Sequence, residues 1–342
     1  MAGDTPGLDL AALRSHLDEH APGLVTGELT AEVIAGGRSN LTYRVGDGTR
    51  RLVVRRPPLG HVLASAHDMA REHRVMSALA GTAVPVPATH LLCQDDAVLG
   101  APFYVMDEAP GTAYRRATEL APLGADRTRA IGERLVDTLA TLHAVDPAEV
   151  GLADFGRPEG YLERQVRTWK RQLDASHTRD VDGAAELHGW LEAHVPTSPP
   201  PAIVHGDYRL DNVLVDDGDR VTAVLDWEMA TLGDPVTDVA LMVAYQEMAA
   251  QDTAGAVTDA ARADGYPSVD DVLQRYATTS GRDLSDLGFY LALAHFKLAV
   301  ILEGIHFRFV NGQTVGEGFD TIGAMVPSLV RAGLAARTDS GR

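Results

Sequence analysis

One cysteine, Cys93, stands in the whole sequence, so neither an internal disulfide nor a zinc site made of several thiolates can form. Basic residues are outnumbered too: 30 Lys and Arg face 48 Asp and Glu, a formal net charge of −18. That balance repels a phosphate backbone and argues against a nucleic-acid partner. No Gly-x-x-x-x-Gly-Lys-Ser/Thr segment occurs, which disfavours a P-loop enzyme, and no His-Glu-x-x-His occurs either. Long uninterrupted apolar runs are also missing. Asp9, Arg14, Asp18 and Glu19 interrupt the leucines of the first segment, unlike a secretory signal. The most apolar late stretch, Phe289 to Phe309, carries His295, Lys297 and Glu303 and reads as a buried helix, not a membrane span. The expectation is a cytoplasmic protein with no membrane and no nucleic acid as partner.

What is present is ordinary globular composition, 45% hydrophobic and 23% charged, in a chain long enough for two compact lobes. Leu10, Leu13 and Leu17 form one stripe and predict a short amphipathic helix. Ala31 to Ile34 and Leu41 to Val45 are strand-like runs around Gly36-Gly37-Arg38-Ser39-Asn40, a hairpin pattern. Arg51 to Arg55 predicts a third strand, stopped by Pro57-Pro58, and Ala66 to Leu79 a helix. Val98 to Met106 reads as strands ending at Asp107-Glu108. From about Asp126 the pattern turns helical, with Ile131, Leu135, Leu139 and Leu142 on one stripe, interrupted by a β-like island from Ala202 to Asp226.

The strongest chemical signal lies in that island. His205-Gly206-Asp207-Tyr208-Arg209-Leu210-Asp211-Asn212 precedes a strand-like Val213-Leu214-Val215. A turn at Asp217-Gly218-Asp219 follows, then a second run, Val221 to Leu225, ending on Asp226. Asp207, Asn212 and Asp226 offer carboxylate and amide oxygens of the kind that suit Mg²⁺, which keeps few protein ligands and meets substrate phosphates. Phosphoryl transfer needs such a metal, a carboxylate to orient the acceptor hydroxyl, and cations against the phosphates.

His205-Gly206-Asp207 through Asn212, with Asp226-Trp227-Glu228, resembles the aminoglycoside phosphotransferase and choline kinase group of kinase-like enzymes. The match is closest to the kinase-like domains associated with acyl-CoA dehydrogenases, which have similar Gly-Gly-x-Ser-Asn, Arg-Arg-Pro-Pro, Tyr-Leu-x-Arg-Gln and Leu-Gly-Asp-Pro segments. The resemblance implies an α+β, bilobal protein-kinase-like fold, with an N-terminal lobe over residues 1–107 and a helical C-terminal lobe over 108–342. It implies ATP and Mg²⁺ as cofactors and a small-molecule hydroxyl as acceptor, aminoglycoside-like or hydroxyacyl-type. Asp207 is implied as catalytic base, and Asn212 and Asp226 as magnesium ligands. Gly37, Ser39, Asn40, Arg55, Glu72, Asp107 and Ala109 are the implied nucleotide-binding set, with Glu72 orienting Arg55. Lysine is usual at the Arg55 position of the wider fold, but a guanidinium grips phosphate in a bidentate way. A catalytically silent nucleotide-binding module is the alternative.

Several other features carry blander readings. Asp154-Phe155-Gly156 spells a kinase metal motif but precedes the catalytic segment with no strand leading into it, so it is rejected as a metal site. His205 reads as an organiser of its loop, and Glu228 as a support for the metal site. Asp234-Pro235 shapes the start of a helix. Tyr161 to Arg171 predicts a helix with Leu162, Val166 and Trp169 on one side and Arg164, Arg167 and Arg171 on the other. That basic face is either solvated scaffold or a surface for an anionic acceptor.

Overall fold

The computed structural model describes residues 5–34, 40–59, 68–176, 178–251, 258–314 and 318–337. The chain divides into two compact units: Met1–Gly111 with Thr222–Ala230, and Thr112–Val221 with Thr231–Arg342. The segment around Asp226 therefore groups with the first unit, not with the 108–342 helical part anticipated for it. The unit boundary falls at Gly111, a few residues past 107.

The first unit holds helix α1 (Leu10–His20), strands β1 (Thr30–Val33), β2 (Leu41–Gly46) and β3 (Arg51–Arg56), and helix α2 (Met69–Leu79). Strand β4 (Thr89–Cys93), the single turn α3 (Asp96–Leu99) and strand β5 (Phe103–Asp107) complete it. The strands form one antiparallel sheet in the order β1-β2-β3-β5-β4. Side chains alternate along each strand, so the two faces carry different sets. Tyr43, Val45, Leu52, Val54, Phe103 and Val105 join Leu13 and Leu17 of α1 in one core cluster. The alternate residues of β3 and β5, among them Arg55 opposite Tyr104, belong to the other face. Helix α2 packs against β4 and β5. The strand expected to begin at Val98 begins at Phe103. Asp95 caps α3 by accepting from Ala97 N, and Gly100 ends it in the left-handed region at φ 81, so residues 96–99 turn as a helix.

The second unit is mainly helical: α4 (Ala117–Leu120), α5 (Ala125–Ala144), α6 (Tyr161–Ala175) and α7 (Ala184–Ala193). Strands β6 (Ala202–Val204) and β7 (Val213–Val215) follow, then β8 (Val221–Val224), which runs on into the first unit, and β9 (Thr231–Gly233). Helices α8 (Val236–Ala250), α9 (Val269–Ser280), α10 (Leu287–Val310) and α11 (Val326–Ala336) complete it. β6 and β9 pair antiparallel, with Ala202 opposite Gly233. Gly233 meets the Tyr161 ring, where an added Cβ would lie 2.7 Å from ring carbons, so this close approach needs glycine. The α5 stripe Ile131, Leu135, Leu139 and Leu142 is buried as its spacing demands. Helix α10 is apolar and long enough by composition to cross a membrane, yet it packs on α6, α7, α8 and α11 and is mostly buried among them.

Candidate active site

The first unit builds a polar cluster from its sheet and α2. Asp68 caps α2 by accepting from Arg71 N, and the helix then buries Met69, Glu72, Val75, Met76 and Leu79. Glu72 thus occupies a core position, with 1% of its surface exposed. A lone carboxylate there would be strongly destabilising. It is compensated from three sides. Arg55 Nε lies 3.0 Å from Glu72 Oε2, the Tyr104 hydroxyl donates to Oε2 at 3.0 Å, and Asn40 Nδ2 donates to Oε1 at 3.2 Å. Burial nevertheless pushes the Glu72 carboxyl up to about 7, against the opposing pull of Arg55. Burial would lower the Arg55 guanidinium, but Glu72, Tyr104 and Asp226 together hold it firmly charged.

Arg55 also donates from Nη2 to Asp226 Oδ1. Asp226 sits at φ 64, a left-handed conformation that a side-chain-bearing residue seldom adopts. Its neighbours fix that turn. Val224 N donates to Pro85 O at 2.8 Å, Trp227 Nε1 donates to Val224 O at 3.0 Å, and Arg71 Nε donates to Ala230 O at 2.9 Å. Asn40 Nδ2 also donates to Glu228 Oε2 at 3.3 Å. Gly37 and Ser39 lie outside the described residues. Asp107 is not in this cluster: its carboxylate meets Arg50 Nη2 at 3.0 Å and His90 Nε2 at 2.8 Å. Ala109 is partly buried just beyond β5.

The second unit gathers its polar cluster in the loop after β6. Gly206 has φ 83, which lets the chain turn sharply before Asp207. Asp207 Oδ1 accepts from the Tyr245 hydroxyl of α8 at 3.0 Å, and Oδ2 accepts from Asn212 Nδ2 at 3.0 Å. The same Asn212 nitrogen donates to the Asp207 carbonyl at 2.8 Å. With its nitrogen so committed, the Asn212 amide oxygen is the atom left to meet a cation. Arg209 Nε lies 3.3 Å from Asp207 Oδ2, its Nη1 3.2 Å from Asp211 Oδ2, and its guanidinium 4.8 Å from the centre of the Tyr245 ring. Burial pushes the Asp211 carboxyl up, with Arg209 pulling it back.

Behind this loop, Asp238 at the start of α8 accepts from His205 N at 2.6 Å and Gly206 N at 2.8 Å. His143 Nε2 stands 3.2 Å from Asp238 Oδ2, and its Nδ1 2.7 Å from the Tyr276 hydroxyl. Although burial opposes it, His143 and the backbone donor hold the Asp238 carboxyl below its ordinary range. Asp207 N donates to His205 Nδ1 at 3.2 Å, so His205 organises the loop from inside the core. Pro235 precedes α8, and Asp234 accepts from Val236 N and from the Tyr290 hydroxyl. Phe155 is buried in the connection between α5 and α6, the place of a packing residue. On α6, Arg164 donates to the carbonyls of Arg157 and Glu159, so one guanidinium of the basic face is tied to its own loop.

Sequence reasoning singled out Asp207, Asn212, Asp226, Arg55 and Glu72 but missed Tyr104, Tyr245 and Asp238, which hold them. Asn212 in the second unit and Asp226 in the first each carry a hard oxygen of the kind that suits magnesium. No group of three His, Cys, Asp or Glu side chains shaped for a metal occurs among the described residues. Magnesium held mainly by phosphates and water needs no such group.

Comparison with known proteins gives the family. The chain is 34% identical to acyl-CoA dehydrogenase family member 10 of Mus musculus, over 97% of this chain and 32% of that protein. It is 34% identical to family member 11 of Gallus gallus, over 95% of this chain and 43% of that protein. The chain thus spans less than half the length of these curated relatives. A crystal structure from Ralstonia eutropha JMP134, described as a candidate aminoglycoside phosphotransferase, superposes with a TM-score of 0.84 at 32% identity, covering 98% of this chain and 99% of that one. An aminoglycoside phosphotransferase solved with ADP and hygromycin B shares the kinase-like fold, with a TM-score of 0.61 at 16% identity over 95% of this chain and 98% of that one. The model of the phosphotransferase enzyme family matches residues 30–272, and the chain belongs to that family.

Proposed function

We propose that the protein transfers the γ-phosphoryl group of ATP to a hydroxyl of a small molecule, with Asp207 as the base. The observation that carries this reading is the geometry of Asp207. Its two oxygens are held by Tyr245 and Asn212, on a loop whose backbone is gripped by Asp238. Phosphoryl transfer depends mostly on positioning and charge, and a carboxylate fixed this way can orient an incoming hydroxyl and take its proton. Arg55, held charged by Glu72 and Asp226, is the cation offered to ATP phosphates. Asn40 supports it through Glu72, and Gly37, Ser39, Asp107 and Ala109 complete the proposed nucleotide contacts. Asn212 and Asp226 each offer an oxygen to Mg²⁺, which when bound neutralises phosphate charge.

Two acceptor classes suit the relatives. Aminoglycosides are named for the structural neighbours, and the likeness to acyl-CoA dehydrogenase family members favours a hydroxyacyl thioester. The test is ADP release from ATP across simple alcohols, aminoglycosides and hydroxyacyl-CoA species, with and without magnesium. Acceptor-dependent ADP release that EDTA abolishes is the expected result. Tight ATP binding without turnover on any acceptor would instead select the silent nucleotide-binding module.

A further inference from the structure

Lys297 stands in the middle of α10, a helix that is otherwise almost wholly apolar at its centre. An ammonium in such a place needs a strong partner. Its Nζ donates to the carbonyl oxygen of Gly206 at 2.6 Å and lies 5.3 Å from the centre of the Trp169 ring. The contact borders a small pocket of about 30 Å³ lined by Tyr161, Gln165, Thr237, Asp238 and Tyr290.

The contacts around residues 205–207 make this bond more than a buried pair. The N–H groups of His205 and Gly206 go to Asp238, and that of Asp207 goes to the His205 ring. The Gly206 carbonyl goes to Lys297. Side chains therefore hold each of these four backbone groups, and Lys297 is the one that holds an oxygen. That oxygen belongs to the peptide unit leading directly into Asp207. Glycine at φ 83 has little steric resistance to rotation of that unit, so an external hold is what fixes it.

We infer that Lys297 is a positioning residue for the catalytic loop: its ammonium locks the Gly206–Asp207 peptide and so sets the direction of the Asp207 carboxylate. The activity arm of this inference rests on the proposed function, but its structural arm does not.

The test compares Lys297→Met, which keeps the length and loses the charge, with the parent. ADP release is followed from Mg·ATP with water as acceptor, and with kanamycin or 3-hydroxybutyryl-CoA added. A misplaced reacting group costs up to roughly 100-fold, so kcat should fall about 10- to 100-fold while KM for Mg·ATP stays within about threefold. Hydrogen exchange of the peptide covering residues 203–210 should quicken in the same variant at unchanged global melting temperature. Should Lys297→Met fold poorly, Lys297→Cys treated with bromoethylamine restores an ammonium at this site. The sole native thiol, Cys93, is buried, and the treated parent serves as control. Aminoethylation should return at least about a third of the lost rate. A folded Lys297→Met protein with parental kcat and parental exchange would overturn the inference, as would aminoethylation that restores stability but not the loop. A parent protein that releases no ADP on any acceptor would sink the phosphotransfer reading alone, and exchange would still decide the role of Lys297.

Discussion

The two units assemble the same kit by different means. Each places an arginine between two carboxylates and adds a tyrosine hydroxyl on one of them: Arg55 with Glu72, Asp226 and Tyr104, and Arg209 with Asp207, Asp211 and Tyr245. In the first unit, regular elements deliver most parts. Arg55 and Tyr104 are cross-strand partners on adjacent strands, and Glu72 comes from the buried face of α2. In the second unit, Asp207, Arg209 and Asp211 lie within five residues of loop and 3₁₀ turn, and distant helices hold that loop by its backbone. Strand register sets the first cluster, whereas a few buried polar groups set the second. The first should tolerate loss of a single contact better than the second.

The largest expected effect tests the loop-built cluster. Asp207→Asn keeps the size and removes the proton-accepting carboxylate, so turnover should fall by roughly 10²–10⁴ with ATP binding largely retained. Near-parental turnover would exclude Asp207 as the base.

Next comes the sheet-built cluster and its titration. The Glu72 carboxyl is raised from 4.5 to about 7, so the folded state binds this proton more tightly than the unfolded state. The stabilisation is then complete below about pH 4.5 and is lost as pH rises through 7. Between pH 5 and 7.5 the parent should lose about 2 kcal/mol relative to Glu72→Gln, measured by urea unfolding of both proteins. Parallel pH profiles would show that Arg55 keeps Glu72 ionised throughout.

The smallest effect separates substrates. Arg55→Ala should raise the apparent KM for ATP by about tenfold, with less change for the acceptor, because one charged phosphate contact contributes on the order of 1–3 kcal/mol. A change confined to the acceptor would move Arg55 out of the nucleotide site.

The same contrast explains what the sequence made legible. Leu10, Leu13 and Leu17, the β2–β3 runs and the α5 stripe follow simple periods, and the elements form where the periods place them. Arg55 and Glu72 were readable through the family resemblance, which sets a cation on the third strand and its carboxylate partner on the following helix. Tyr104 was not, since a tyrosine in a strand looks like any core residue until its hydroxyl finds Glu72. Asp238 and Lys297 act 32 and 91 residues away from Gly206 along the chain, and no local pattern announces such contacts. The 96–99 turn was missed because Val98 and Leu99 suit a strand, while the deciding signals were Asp95 and Gly100 at its ends.

Helix α10 has a consequence for how the second unit comes into being. Most of its length is covered by α6, α7, α8 and α11, elements drawn from residue 161 to residue 336. Until those distant segments have met, a strongly apolar helix stands in water, and contacts of such long sequence separation form slowly. Folding of the second unit therefore passes through a stage with its stickiest surface uncovered. The helix that carries Lys297 to the Gly206–Asp207 loop is also the place where crowded or heated chains should first associate wrongly.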